Sequence, residues 1–123
     1  MKENIIKTKS FDFAVAIVSI YKQLTEERKE FVISKQLLRS GTSIGAMVRE
    51  SEHAESKADF IHKLSIAQKE ANEVLYWLEL LNAKEFMTIS KFQKTHSEAK
   101  EIIRLITAIL KTAKRNNLKS TTL

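Results

Sequence analysis

The sequence has no cysteine, no proline and only two glycines among its 123 residues. Without cysteine there is no disulfide framework and no thiolate metal site, so nothing favours an oxidising compartment. Proline and glycine are the residues that most often punctuate sandwiches and barrels. Their scarcity predicts a chain that is helical over nearly all of its length.

Long hydrophobic runs are also missing. No uninterrupted apolar run approaches the roughly 20 residues that are needed to cross a bilayer. The segment MKENIIKTKS, with which the sequence opens, lacks the apolar core of a secretion signal. We therefore expect a cytoplasmic protein that makes no contact with membranes.

The composition fits a single water-soluble domain. Hydrophobic residues make up 43% of the chain and charged residues 29%, which is typical of a globule rather than of a disordered chain. The length allows one substantial core and is too short for two domains. We expect one domain over residues 1–123, with flexible ends.

The formal net charge of +6 is distributed unevenly. Residues 1–29 contain six Lys/Arg and four Asp/Glu, residues 30–90 contain seven and nine, and residues 91–123 contain eight and two. The net charges of these segments are therefore +2, −2 and +6. A basic surplus in the last segment indicates a polyanionic partner, and a general solubility charge is the alternative.

Apolar residues recur with the helical period in four segments. The predicted helices cover about residues 10–24, 29–55, 57–83 and 90–116. Ser10, Ser56 and Ser90 are the predicted N-caps. Because the links between the helices are short, neighbouring helices run antiparallel. The expected fold class is all-α, an antiparallel up-down-up-down four-helix bundle.

Gly41 and Gly45 lie inside the second predicted helix, at the edge of its core stripe. Each costs roughly 1 kcal/mol relative to alanine in a helix interior. A close approach by the backbone of another helix would account for both residues. The alternative is that they are merely tolerated.

The first and third helices carry more apolar side chains than a lone bundle needs to bury. On the third helix Leu81 is one of them. The surplus predicts a homo-oligomer whose interface contains Phe11, Val15, Val18, Ile66, Tyr76, Trp77 and Leu80.

One side of the fourth helix is predicted to be entirely basic. Five residues fall within an arc of roughly 100°: Lys100, Arg104, Lys111, Lys114 and Arg115. No acidic residue lies in that arc. Such a row of cations can follow phosphates and gain affinity from counterion release without reading bases. We expect RNA or DNA binding of low sequence specificity, with a solvated helix face as the alternative.

Catalytic and metal motifs are weak in this sequence. Glu50 and His53 have the Glu-x-x-His spacing of di-iron bundles, but His53 points away from the core stripe of its helix. Arg49 and His53 are too closely spaced for the arginine–histidine motif of all-helical ribonucleases. We expect no enzyme activity, no metal and no cofactor.

Two stretches of the sequence carry a family resemblance. They are LRSGTSIGAMVRE (residues 38–50) and LSIAQKEANEVLYWLELL (residues 64–81). They resemble the bacterial four-helix-bundle family encoded in 23S rRNA intervening sequences, and the similarity covers the chain from Phe11 to about Arg115. The resemblance implies a compact bundle that assembles as a ring-shaped pentamer.

That family is in turn similar to the accessory proteins of diversity-generating retroelements, which are basic, bind nucleic acid and engage a reverse transcriptase. Glu50, Glu70 and Glu73 match acidic positions of the family pattern, and we expect them to form polar contacts between helices. The sequence therefore predicts a non-catalytic, homo-oligomeric accessory protein that binds nucleic acid. A protein-interaction scaffold is the alternative, and a metal-dependent enzyme or ribonuclease is the third candidate.

Overall fold

A computed structural model describes the backbone of residues 2–122 and the side chains of residues 5–116. Its four helices are α1 (Lys2–Glu26), α2 (Ile33–Ser51), α3 (Lys57–Ala83) and α4 (Ile89–Thr122). Consecutive helices pack against each other, and α4 closes the ring by packing against α1. Short loops reverse the chain each time, which gives an antiparallel bundle. The described backbone contains no strand, so the predicted fold class is confirmed.

The core is formed by the apolar stripes that the helical period predicted. Its members include Phe13, Ile17, Leu37, Ile44, Leu64, Val74, Ile102 and Ile106, all buried. Burying one such side chain contributes about 1.5–3 kcal/mol, and the stripes meet only when all four helices assemble. Leu81, which was predicted to be surplus, is also fully buried. Within the described backbone, no helix is both long and apolar enough to span a membrane.

α1 begins at Lys2, well before the predicted start at Ser10. Ser10 is therefore not an N-cap. Its side chain is buried inside the helix, where its hydroxyl donates a hydrogen bond to the Lys7 carbonyl oxygen at 3.2 Å. Ile6 extends the core stripe by one further turn, and burial of this turn explains why the helix continues beyond Ser10.

α2 is shorter at both ends than the predicted range of 29–55. Lys29 has a left-handed backbone with φ of 56°, a conformation that interrupts a right-handed helix. The Glu30 carboxylate then accepts hydrogen bonds from the first two N–H groups of α2, at 2.9 and 2.6 Å. After Ser51, backbone N–H groups bond to carbonyls three residues back, so the helix tightens and ends.

The predicted N-cap of α3 is confirmed. The Ser56 hydroxyl accepts a hydrogen bond from the N–H of Asp59 at 3.0 Å. The Asp59 carboxylate accepts in return from the N–H of Glu55 at 3.2 Å, one residue before the cap. Two donors that the helix itself cannot satisfy are thereby bonded.

α4 starts and ends differently from the prediction. Its cap is Thr88 rather than Ser90, because the Thr88 hydroxyl accepts from the backbone N–H three residues later at 3.1 Å. The helix continues to Thr122 instead of ending near Asn116. No glycine or proline occurs in this segment to stop it.

Gly41 and Gly45 lie where α2 crosses α1. A Cβ built on Gly41 would lie 2.8 Å from Cγ1 of Ile17, and one on Gly45 would lie 3.3 Å from the carbonyl oxygen of Ser10. The two helices therefore approach too closely for a larger side chain to fit without adjustment. The expected close approach by another backbone is confirmed for Gly45, whereas Gly41 accommodates the side chain of Ile17.

Candidate nucleic-acid interface

The five predicted cations all lie exposed on the outward side of α4. They are Lys100, Arg104, Lys111, Lys114 and Arg115, and we call them the cationic face. The opposite side of α4 is buried in the core, which directs this face toward solvent. At 1.5 Å per residue, the face extends for about 22 Å along the helix.

In the described part of the chain, no ion pair neutralises the cationic face. Within residues 5–116, none of its five side chains forms an ion pair or hydrogen bond with a carboxylate. Glu101 borders the face but accepts a hydrogen bond from Lys9 of α1 at 2.8 Å. That bond is the main reason why the pKa of Glu101 lies below its ordinary value, and Arg104 adds a smaller attraction. The bordering carboxylate is thus already paired.

Contacts with both neighbouring helices fix the rotation of α4 about its axis. Toward α3, the Gln68 amide donates to the Thr107 hydroxyl at 2.8 Å, and the His96 ring meets the Glu79 carboxylate at 2.9 Å. Toward α1, the Glu101 carboxylate of α4 forms an ion pair with Lys9. The cationic face therefore points to solvent between α3 and α1.

Several cations elsewhere in the bundle bridge two helices. Arg39 of α2 lies 3.1 Å from Glu70 and 2.6 Å from Glu73, both on α3. Lys63 of α3 lies 3.1 Å from Glu50 of α2. The expected contacts of the three family-matched carboxylates between helices are therefore confirmed. The five cations of the cationic face differ, since none of them forms such a bridge to any described side chain.

The seven residues predicted to form an oligomer interface divide into two groups. Phe11, Val15, Val18 and Tyr76 are exposed, by 52%, 51%, 42% and 55%. Ile66, Trp77 and Leu80 are partly buried, and Trp77 packs against the core. Phe11, Val15 and Val18 form a continuous row on α1, which we call the α1 stripe. The broad apolar surface predicted for α3 is wrong, because only Tyr76 is exposed among its large apolar side chains in the described chain.

The residues of the weak metal and ribonuclease motifs, Arg49, Glu50 and His53, lie exposed at the end of α2 and in the turn after it. His53 is exposed in the turn that follows α2, and the Arg49 guanidinium lies 5.3 Å from the centre of the Phe11 ring. Across the side chains that the structure describes, no group of three or more His, Asp or Glu residues is placed to hold a metal ion.

Sequence reasoning missed an exposed apolar cluster at the loop end of the bundle. Phe31, Val32 and Ile89 are exposed by 58%, 74% and 62%. The predicted second helix, residues 29–55, includes Phe31 and Val32, so the sequence pattern does not indicate that they lie in a loop. The signal that identifies them is the side-chain cap of Glu30, which starts α2 only after them.

Residues 2–108 match the model of a family described as 23S rRNA-intervening sequence protein. A solved structure from Bacteroides thetaiotaomicron VPI-5482, described as a protein with unknown function from the S23 ribosomal protein family, is 56% identical in sequence. The match covers 90% of this chain and 99% of that chain, with a TM-score of 0.89. No curated protein matches the chain.

Proposed function

The chain belongs to the 23S rRNA-intervening sequence protein family, and on that premise we propose that it binds nucleic acid through the cationic face of α4. Binding, without catalysis of any reaction, is the proposed activity. The observation that carries the proposal is the absence of carboxylate partners around five exposed cations in the described chain. A solvated helix face normally mixes acidic and basic residues.

The dimensions of the cationic face suit a phosphate backbone. Its length of about 22 Å corresponds to the rise of about six nucleotides in one strand of a duplex. Ammonium and guanidinium groups that contact phosphates release condensed counterions, which favours binding in dilute salt. Such contacts carry no sequence information, so the proposed binding has low sequence specificity.

A neutralised variant tests this proposal. We expect wild-type protein to bind labelled oligonucleotides with an affinity that falls with salt, with a log–log slope approaching about −3.5 for five phosphate contacts to a single strand. Replacing all five cations of the face by glutamine should flatten the slope toward zero. Fluorescence anisotropy across a salt series measures both quantities.

A matched control variant carries the same change in net charge on other surfaces: Lys22→Gln, Lys29→Gln, Lys35→Gln, Lys57→Gln and Lys84→Gln. These lysines are exposed, and the control should keep most of the salt-dependent affinity. Equal losses in the two variants would mean that net charge alone causes binding. Unchanged binding by the first variant would refute the proposed face.

We also propose that the chain works as a homo-oligomer held together by the α1 stripe, with a pentamer as the arrangement that the sequence resemblance implies. Copies of the cationic face would then be linked, and weak contacts to one polyanion would add through avidity. A reverse transcriptase as protein partner rests on the resemblance alone.

The exposure of the α1 stripe also favours the second candidate function, a protein-interaction scaffold. Self-association without nucleic-acid binding at low salt would select that candidate.

A further inference from the structure

Tyr76 is an exposed aromatic side chain on the outward side of α3. Its surface is 55% exposed. Its ring meets the ring of Trp77 edge-on, with the centroids 5.0 Å apart and an interplanar angle of 66°. Because Trp77 packs against the core, this contact helps to hold the tyrosine ring in one orientation. The free part of the ring is thus presented on a rigid support.

Tyr76 closes one end of a shallow groove along α3. The groove has a volume of ≈ 590 Å³ and is lined by Ser65, Gln68, Lys69, Asn72, Glu73 and Tyr76. Its hydroxyl and amide groups can donate and accept hydrogen bonds. The one carboxylate of the lining, that of Glu73, already accepts from Arg39, and Lys69 adds an exposed positive charge.

The groove lies beside the cationic face. Gln68 of α3 bonds to Thr107 of α4, and Glu79 of α3 meets His96 of α4. Because the two helices are antiparallel, these contacts place Tyr76 at about the level of Lys100. Packed helices lie about 8–10 Å apart, so Tyr76 and the first cation of the face lie at the same level on the outward sides of two adjacent helices.

We propose, on the basis of the proposed function, that the ligand of this surface is a single-stranded nucleic acid. Its phosphates lie along the cationic face, and an unpaired base stacks on Tyr76 with neighbouring bases over the α3 groove. Aromatic rings beside a basic track are the means by which proteins hold single strands of any sequence. In a duplex the faces of the bases are covered by their neighbours, so only a single strand can use the ring.

This inference separates Tyr76 from the predicted oligomer interface. Its apolar neighbours Ile66 and Leu80 are partly buried, and the five other residues that line the groove are polar or charged. Subunit contacts are commonly built on contiguous apolar patches, and a tyrosine surrounded by polar and charged residues does not provide one. The α1 stripe remains available for assembly, so both roles can coexist.

Tyr76→Ala and Tyr76→Phe test the inference against three labelled probes: an oligouridylate, an oligodeoxyuridylate and a duplex DNA of equal length. We expect Tyr76→Ala to weaken binding of the single strands by roughly 5- to 150-fold, the usual effect of losing one stacked base. Tyr76→Phe should retain binding, and duplex affinity should stay unchanged in both variants. A difference between the two single strands would tell whether the 2′-hydroxyl contributes.

Phe31→Ala is the matched control, because Phe31 is equally exposed at the loop end of the bundle, away from the groove. It should leave all three affinities unchanged. Wild-type affinity for single strands after Tyr76→Ala would overturn the inference. An equal loss for single strands and duplex, or a changed oligomer mass in light scattering, would also overturn it. In each of these cases, salt-dependent binding that still requires the cationic face would leave the proposed function intact.

Discussion

At the residue scale, the crossing of α1 over α2 depends on the missing side chain of Gly41. A Cβ there would lie 2.8 and 2.9 Å from the two Cγ atoms of Ile17, a β-branched residue that is fully buried and has little rotamer freedom. The strain of overpacking a core is typically about 1–3 kcal/mol. It opposes the gain of roughly 1 kcal/mol that alanine brings to a helix interior.

We expect Gly41→Ala to lower the free energy of unfolding by up to about 2 kcal/mol, because the packing strain exceeds the helix-propensity gain. Urea denaturation of the variant measures this change. Gly45→Ala is the control, since its Cβ would meet the Ser10 carbonyl oxygen at the milder distance of 3.3 Å. It should be close to neutral. A Gly41→Ala protein that is more stable than wild type would show that Ile17 can move away at little cost.

Single polar residues show why sequence alone could not fix every detail. Ser10 and Ser56 look alike in the sequence, yet Ser56 caps α3 and Ser10 is buried in α1, facing Gly45 across the crossing. A serine hydroxyl can bond to backbone at a helix start or to a carbonyl inside a helix. Whether a serine caps a helix or lies buried inside one depends on how the neighbouring helix packs. The helical period of the sequence carries no information about that packing.

At the scale of elements, the start of α2 depends on the Glu30 carboxylate. Burial acts to raise the pKa of this group, but hydrogen bonds from the N–H groups of Ile33, Ser34 and Val32 outweigh it, so the pKa lies below its ordinary value of 4.5. The folded state therefore favours the ionised form. This contribution to stability is complete above pH 4.5 and is lost as the pH falls through the folded-state pKa.

We expect Glu30→Gln to destabilise the protein by about 0.5–2 kcal/mol at neutral pH, the usual cost of impairing a helix cap. The difference from wild type should shrink in acid, because protonation of Glu30 weakens the same bonds. Thermal unfolding across a pH series measures both effects. Glu27→Gln, an exposed neighbour in the same loop region, should show little of this pH-dependent difference. A constant difference at all pH values would contradict a role for ionisation.

The helices themselves were predictable, whereas several of their ends were not. Apolar spacing located all four core stripes, since each stripe is a local pattern that packing requires. The ends of α2 depend on a left-handed residue at Lys29 and a side chain that reaches three residues forward. A glutamate in that role resembles a helix residue in sequence, which is why the predicted helix began too early.

At the scale of the whole molecule, the cationic face was predictable and the apolar surfaces were only partly so. Helical pitch alone brings the five basic residues of α4 to one side. How far Trp77 and Leu80 are buried depends on how α3 is rotated against its neighbours. That rotation depends on contacts between residues far apart in the sequence, chiefly the buried core and also the Arg39 bridge to Glu70 and Glu73.

The α1 stripe makes a prediction about assembly. Val15 lies at its centre, between Phe11 and Val18, and is 51% exposed in the single chain. A glutamate at this position remains solvated in a monomer but becomes a buried, unpaired charge in an interface, which is strongly unfavourable. We expect wild-type protein to form an oligomer and Val15→Glu to shift it to the mass of one chain, as measured by size-exclusion chromatography with light scattering.

Val32→Glu is the matched control, because it makes the same change at a residue that is 74% exposed at the loop end. It should leave the oligomer mass unchanged, and circular dichroism should show equal helicity in all three proteins. If Val32→Glu dissociates the oligomer and Val15→Glu does not, the loop-end cluster with Phe31 and Ile89 holds the subunits together. If the wild-type protein stays monomeric at high concentration, the proposed oligomer is refuted. Nucleic-acid binding would then depend on a single cationic face, without avidity.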